Sequence, residues 1–452
     1  MSNLKLSILT CAITICSLPA LAIDHNNPFI RDAQIDGRVQ TVFFNEENTS
    51  TNQTRGAWTG AVWLNARSGY LADMISVGGS AYRVARLNMK PGNINPATAS
   101  GSNSAFLLND SNEGFGKLGQ AYIDLKLPKN STDIRASAKI GRQMIQTGLV
   151  RSSVIRSVPS SWQGVNASLG VGEFDGSVAW LNRVNQRTGA GFHRVLSVDG
   201  EVIDSVMATQ FSYTVDLGDQ RSLQLQYNGG LAKDYVIGHN GVINFDMPLS
   251  HDSTLSLSGQ YYRAEEHGEL WNPATAAFAD NVQVGNVNVA LSTGPWSFNA
   301  GVSYTKAAAS PLNQSGGFQT IGSYDEDFGA NALGLYNAST AAIYADFDFD
   351  NEIAFVLGGQ YSFSESWLHG LSVGYSFFYG TNMTVTRGSE QLNVHEMESD
   401  LTITYEFQQP KLKGLEFQLS FAYYTNSEAL FLASGQGEAK DLRSYLIYHF
   451  SL

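Results

Sequence analysis

Between Gly414 and Tyr424 the chain alternates without a break. Leu415, Phe417, Leu419, Phe421 and Tyr423 are apolar, and Glu416, Gln418, Ser420 and Ala422 between them are polar or small. A period of two over about ten residues predicts a strand with one apolar face and one wet face. Ser444–Leu452 repeats the pattern with a less clean wet face, and Leu371–Gly380 repeats it again. About eighteen such segments can be counted, from Gln34–Asn45 to Leu442–Leu452. They include Gly241–Pro248, Leu371–Gly380 and Ser399–Phe407. Short connections such as Gly172–Asp175, Leu217–Gln220 and Thr293–Pro295 roughly alternate with long ones such as Asn88–Gly116, Met144–Ser161 and Ala307–Glu352.

The opening of the chain changes what this pattern means. Lys5 precedes a mostly apolar run, Leu6–Leu18, and then Pro19-Ala20-Leu21-Ala22. This predicts a secretory signal over residues 1–22, cleaved after Ala22. Cys11 and Cys16 both lie inside it, so the mature chain from Ile23 to Leu452 has no cysteine and no disulfide. Removing Lys5 from the 28 basic residues leaves 27 against 41 acidic ones, a net charge of −14, which argues against nucleic acid as a partner. No later stretch has the roughly 18 consecutive apolar residues of a membrane helix.

Exported strands that are half apolar point to an all-β fold, a transmembrane antiparallel β-barrel of about 18 strands. In lipid every backbone N–H and C=O must be paired, which only a closed sheet achieves. An even strand count returns both termini to the periplasmic side, with short turns there and long loops outside. The expected localisation is the bacterial outer membrane, with lipid and lipopolysaccharide around the barrel. At this strand number the lumen is an aqueous channel unless a loop folds in.

Several stretches resemble the OprD-type family of substrate-specific outer-membrane porins. Phe29-Ile30-Arg31-Asp32 with Phe43-Phe44-Asn45 is similar to the family's opening strand. Lys139–Gln143, then Arg156–Pro159 and Trp162-Gln163-Gly164, resemble its central segments, and Pro410–Leu415 and Tyr448–Leu452 its end. The resemblance implies eighteen strands and an inward third loop, Met144–Ser161, acting as a constriction. It also implies a ladder of lysines and arginines in carboxylate-taking members. Here the ladder positions fall on Gln40, Gly358, Ser376, Thr404, Gln418 and Ser420, and the ladder's acidic partners on Gln360 and Ser362. None is charged, and these polar faces are read as free of positive charge. The expected solute is therefore small and neutral or zwitterionic: a sugar, amino acid or peptide, or an oligosaccharide as in the chitoporin-like branch.

The remaining basic group surrounds the third loop: Arg135, Lys139, Arg142, Arg151 and Arg156. Such residues either line the narrowest point and set ion preference or pin the loop by ion pairs. A carboxylate channel using this group alone is the alternative function. Arg83 and Arg86 cannot both face the lumen in a regular strand. Asp346, Asp348, Asp350 and Glu352 imitate a calcium loop, but Asn351 and Leu357 stand where glycine and glutamate are required, so a solvated acidic loop is expected and no metal site. Phe378 and Tyr424, on the wet parity, are candidates for a sugar-stacking track. Trp180, Trp296 and Trp367 fit interfacial positions. No G-x-S-x-G or H-E-x-x-H occurs, so an outer-membrane hydrolase is set aside and no cofactor is expected. The pattern leaves a monomer and a loose trimer both open.

Overall fold

The computed structural model describes residues 27–89, 103–128, 133–276, 278–309, 338–364, 368–387 and 389–452. The signal-peptide reading, Trp367 and most of Ala307–Glu352 lie outside them. Eighteen antiparallel strands make one closed barrel. They are β1 (Gln34–Asn48), β2 (Gln53–Arg67), β3 (Ile75–Asn88), β4 (Gly116–Lys126), β5 (Ile134–Gln143) and β6 (Ser161–Val171). Next come β7 (Phe174–Asn185), β8 (Val206–Asp216), β9 (Ser222–Ala232), β10 (Val236–Ser250), β11 (Ser253–Glu266) and β12 (Phe278–Thr293). The last six are β13 (Trp296–Ala309), β14 (Ile353–Ser362), β15 (Leu371–Arg387), β16 (Glu390–Glu406), β17 (Leu415–Asn426) and β18 (Ala439–Ser451). β1 pairs with β2 on one side and β18 on the other, which leaves no edge.

Alternation decides which face meets lipid. Phe421 and Tyr423 are exposed, as are Leu446 and Tyr448, which pair with Phe417 and Leu415. Leu419 has the same parity, so the five apolar residues of β17 share the outer face. Each is flanked by inner-face positions that register carries around the barrel.

Three strands run further than their alternation suggested. β10, β15 and β16 continue beyond the expected ends, so the connections after β9 and β15 are short although they lie at the long-loop end. The β15–β16 extension is covered. Met383, Val385, Val394 and Phe349 pack with Leu430 of α2 (Glu428–Ser434), a single apolar cluster that offsets the ordering of a long hairpin. A shorter helix, α1 (Pro28–Arg31), precedes β1, its first turn capped by Asn27 accepting from the Phe29 N–H.

Candidate functional site

Two segments leave the rim and lie against the inner wall. The first is Met144–Ser161. It starts as a small hairpin, Gln146–Thr147 with Val150–Arg151. Gly148 at its tip has φ +56°, and a Cβ there would come within 2.3 Å of the Thr209 carbonyl and 2.5 Å of the Gly229 carbonyl. Only glycine fits this left-handed contact with β8 and β9. The Gly148 N–H donates to Gln210 Oε1 (3.3 Å) and the Leu149 N–H to the Gly229 carbonyl (3.3 Å). Further along, Gln40 Nε2 donates to the carbonyls of Ser157 (2.7 Å) and Arg156 (3.2 Å). Trp63 Nε1 also donates to the Ser157 carbonyl (2.8 Å), the Thr59 and Ser157 hydroxyls pair at 2.8 Å, and the Tyr445 hydroxyl donates to the Ile155 carbonyl (2.9 Å). The segment thus runs from the β8–β9 wall to the β18–β1–β2 wall.

Its apolar residues explain an anomaly of the inner face. Ile145, Leu149 and Val150 pack with Trp162, Leu181 and Val206. Val158 packs with Val42, Ala57, Ala61, Trp63 and Val84. Wall positions expected to be wet are apolar where the segment covers them. Each buried neutral hydrogen bond of the anchor contributes about 0.5–1.5 kcal/mol net. Trp63→Phe removes one and leaves the ring, so faster amide exchange at Val158 and Ser160, with strand amides unchanged, is the expected result. Equal exchange would show that the Trp63 bond does not hold the segment.

The second segment, Ala338–Glu352, was not visible in the sequence. Its Tyr344 and Ala345 N–H groups donate to the two carboxylate oxygens of Glu398 (2.8 and 2.9 Å), and the Ile343 N–H to Asp400 (3.1 Å). Arg443 donates to the Ile343 carbonyl (2.7 Å) and pairs with Asp441 at 2.6 Å. Thr340 shares a bond with Ser303, and Asn286 donates to Ser339, both on the far side at β12 and β13. The expected solvated acidic loop is therefore corrected: Glu352 is fully buried and Asp350 pairs with Lys306 (3.2 Å). Among the described residues no group of side chains fits a metal ion. Phe378 and Tyr424 face inward but lie beneath Phe347 and Tyr344, at ring separations of 5.7 and 5.2 Å, so they form no open stacking track.

The basic group of the third loop is scattered. Arg135 is on the inner face at the end that carries the termini, paired with Asp175 at 3.1 Å. Lys139 is inner and lies over the Tyr122 ring at 4.5 Å. Arg151 is half-buried in the inward hairpin. Arg156 lies over Phe44 at 4.6 Å, its Nε donating to the Ala105 carbonyl. Arg142 is a correction: it pairs with Ala121 and Gln163 on the outer face and stacks on Phe192 at 4.6 Å. Its parity is that of Ile140, which meets lipid. Of the other pair, Arg86 is inner and bonded to Glu113, while Arg83 is outer.

Gln40, Gly358, Gln360, Ser376, Thr404, Gln418 and Ser420 all fall on inner-face positions. Gly358 pairs with Ser376, Thr404 with Gln418, and Ser420 with Arg443. That last pairing corrects the expectation that these faces are free of positive charge. Arg443 sits beside Ser420, and Arg38 sits two residues from Gln40, over Trp63 at 4.6 Å with its Nε lacking a hydrogen-bond partner among the described residues. The inner face of β16 also carries Glu396, Glu398 and Asp400, all buried. One further feature escaped sequence reading. Lys117 is buried, donating to Asn185 Oδ1 (3.2 Å) and to the Gln186 carbonyl, and so ties β4 to the end of β7.

A family model described as outer membrane porin, OprD family, matches residues 27–452. The chain belongs to the OprD family of outer-membrane porins. It is a bacterial outer-membrane protein, and the terminal end of the barrel is periplasmic while the long loops are external. Solved structures of similar fold include OccAB1 of Acinetobacter baumannii, at 16% identity and TM-score 0.74, covering 94% of this chain and 98% of that one. The outer membrane protein OpdK of Pseudomonas aeruginosa is 17% identical at TM-score 0.73, covering 94% and 100%. OccK9 of the same organism is 15% identical at TM-score 0.73, also covering 94% and 100%. No curated protein matches the chain. At these identities the structural likeness carries the fold, and the family carries the channel function.

Proposed function

We propose that this OprD-family porin is a passive channel for small neutral or zwitterionic hydrophilic solutes, with Met144–Ser161 as its constriction. Flux follows the concentration gradient, and the chain performs no chemistry and needs no cofactor. One observation supports the solute class above the others. On the periplasmic side of Ala338–Glu352, the inner faces of β14 to β17 present Gly358, Gln360, Ser376, Thr404, Gln418 and Ser420, while in the acidic row of β16 Glu398 and Asp400 accept from backbone N–H groups of that segment and Glu396 accepts from the Tyr424 hydroxyl. Neutral hydroxyls and amides exchange water for such partners at little net cost. A carboxylate loses hydration there with no free cation among the described residues to replace it, because Arg443 beside Ser420 is taken by Asp441 and the Ile343 carbonyl.

Arg38 favours a second reading. Its unpartnered Nε beside the anchored end of the constriction offers a carboxylate one strong contact in addition to the third-loop group first considered. OpdK has been solved with vanillate, a carboxylate. Liposome swelling with sugars, amino acids, a short oligosaccharide and size-matched carboxylates separates the two. The proposal expects neutral and zwitterionic solutes to enter faster than monocarboxylates of equal size, and the reverse order would transfer the function to the second reading. Arginine at Ser376 and Gln418 should move the zero-current potential toward anions, and Arg38→Gln away from them.

A further inference from the structure

The outer wall carries a feature that the pore does not use. On the outer faces of β5, β6 and β7, and of β8 beyond them, the lipid-facing residues Ile140, Val165, Trp180 and Met207 are exposed and apolar. Immediately external to them the pairing sets Arg142 opposite Gln163, Gln163 opposite Arg183, and Arg183 opposite Arg194 of the short outside strand His193–Leu196. Neighbouring strands lie about 4.8 Å apart, so three guanidinium groups occupy one row across about 15 Å, at the level where apolar wall gives way to polar rim.

The row is electrostatically incomplete. Arg183 and Arg194 are direct cross-strand neighbours of like charge, an arrangement that destabilises a sheet on its own. The Arg183 side chain is exposed and has no hydrogen bond, ion pair or ring contact among the described residues. Arg142 has the face of Phe192 and, among the described residues, no carboxylate. Arg194 reaches Asp204 at 2.8 Å, but Asp204 also holds Lys233 at 3.1 Å. Lys233 is the main cause of the lowered pKa of the Asp204 carboxyl, with Arg194 contributing less. Lys233 is shared in turn with Asp234 at 3.7 Å. Among the described residues four cations therefore face two carboxylates, in a chain whose net charge is −13.

We propose that Arg142, Arg183 and Arg194 form a binding site for the phosphate of an anionic lipid headgroup in the outer leaflet. A phosphate offers several acceptor oxygens, which guanidinium groups engage in paired bonds. Acyl chains below it would lie along Ile140, Val165 and Trp180. A headgroup there supplies the negative charge that the Arg183–Arg194 pair lacks and restrains the outside strand Arg194 belongs to. The site rests on the outer-membrane assignment and not on the choice of solute, because none of its residues faces the lumen.

The test uses the full barrel in detergent, with native mass spectrometry and thermal melting as readouts. Phosphorylated lipid A should remain bound and raise the melting temperature, while its dephosphorylated form should do neither. Arg142→Gln, Arg183→Gln and Arg194→Gln together should abolish the difference, and Arg183→Gln alone should weaken retention roughly tenfold, the loss of one charge-assisted contact. Arg183→Gln removes no partner seen in the fold, so it keeps the test valid if the triple variant does not fold. Single-channel conductance of Arg183→Gln should equal that of the unmodified protein. Equal retention of the two lipid A forms, or unchanged retention by Arg183→Gln, would overturn the site. Inorganic phosphate matching the effect of lipid A at the same concentration would overturn the lipid assignment.

Discussion

Removing Val150–Arg156 should raise single-channel conductance severalfold. The residues lie between the two anchors of the inward segment, Gly148 on β8–β9 and Ser157 on β1–β2. A chord across the lumen narrows the aqueous section, and current through a narrow section scales with its area. The apolar underside of the segment covers Trp162, Leu181 and Val206, so the deletion also exposes wall and lowers thermal stability. A second pair of variants separates the two effects. The chain beyond Ala22 has no cysteine, and the Thr59 and Ser157 hydroxyls are 2.8 Å apart. Thr59→Cys with Ser157→Cys should form a disulfide without changing conductance, because the segment is already seated. Failure to cross-link, or unchanged conductance in the deletion, would place the segment outside the conduction path.

The second large effect concerns Ala338–Glu352. Arg443→Leu should release it. Asp441 is almost fully buried and Arg443 largely so, and the guanidinium also holds the Ile343 carbonyl. Removing one member of a buried pair leaves the other charge uncompensated, a loss of about 3–5 kcal/mol. Amide exchange at Tyr344 and Ala345, and at the Glu398 wall beneath them, should accelerate together. Open-channel current noise should increase as the segment detaches. Replacing both residues, Arg443→Leu with Asp441→Leu, should recover much of the stability but not the bond to Ile343. A double variant as unstable as the single one would show that the pair itself is not the clamp.

Alternation made the barrel legible because its signal is local. A strand half in lipid must alternate, and a one-residue slip would reverse every side chain. Gln40, Ser376, Thr404, Gln418 and Ser420 could be set on one face for that reason. The same rule already excluded Arg142, which has the parity of Ile140; nearness in sequence to Lys139 drew it into the wrong group. Ala338–Glu352 was not legible because its path depends on Glu398, Asp400 and Arg443, which are distant in sequence. Its one local signal was the alternation of Ala345, Phe347 and Phe349 with aspartates, which reads as a loop with acidic spacing until a wall is supplied. Placing the start of β16 at Ser399 hid Glu396 and Glu398 from the lumen, and so hid the partners of that segment. Arg38 and Arg443 were missed because the wall was judged at ladder positions alone.

Under the proposed function the open path discriminates by size and polarity more than by charge. The most direct measurement is the zero-current potential of the unmodified channel across a planar bilayer in a potassium chloride gradient, repeated with small carboxylates added. A value near zero or weakly anionic, with no block by millimolar carboxylate, is the predicted result. Strong anion selectivity with block at micromolar carboxylate would contradict the account and make Arg38 and Arg156 the dominant filter.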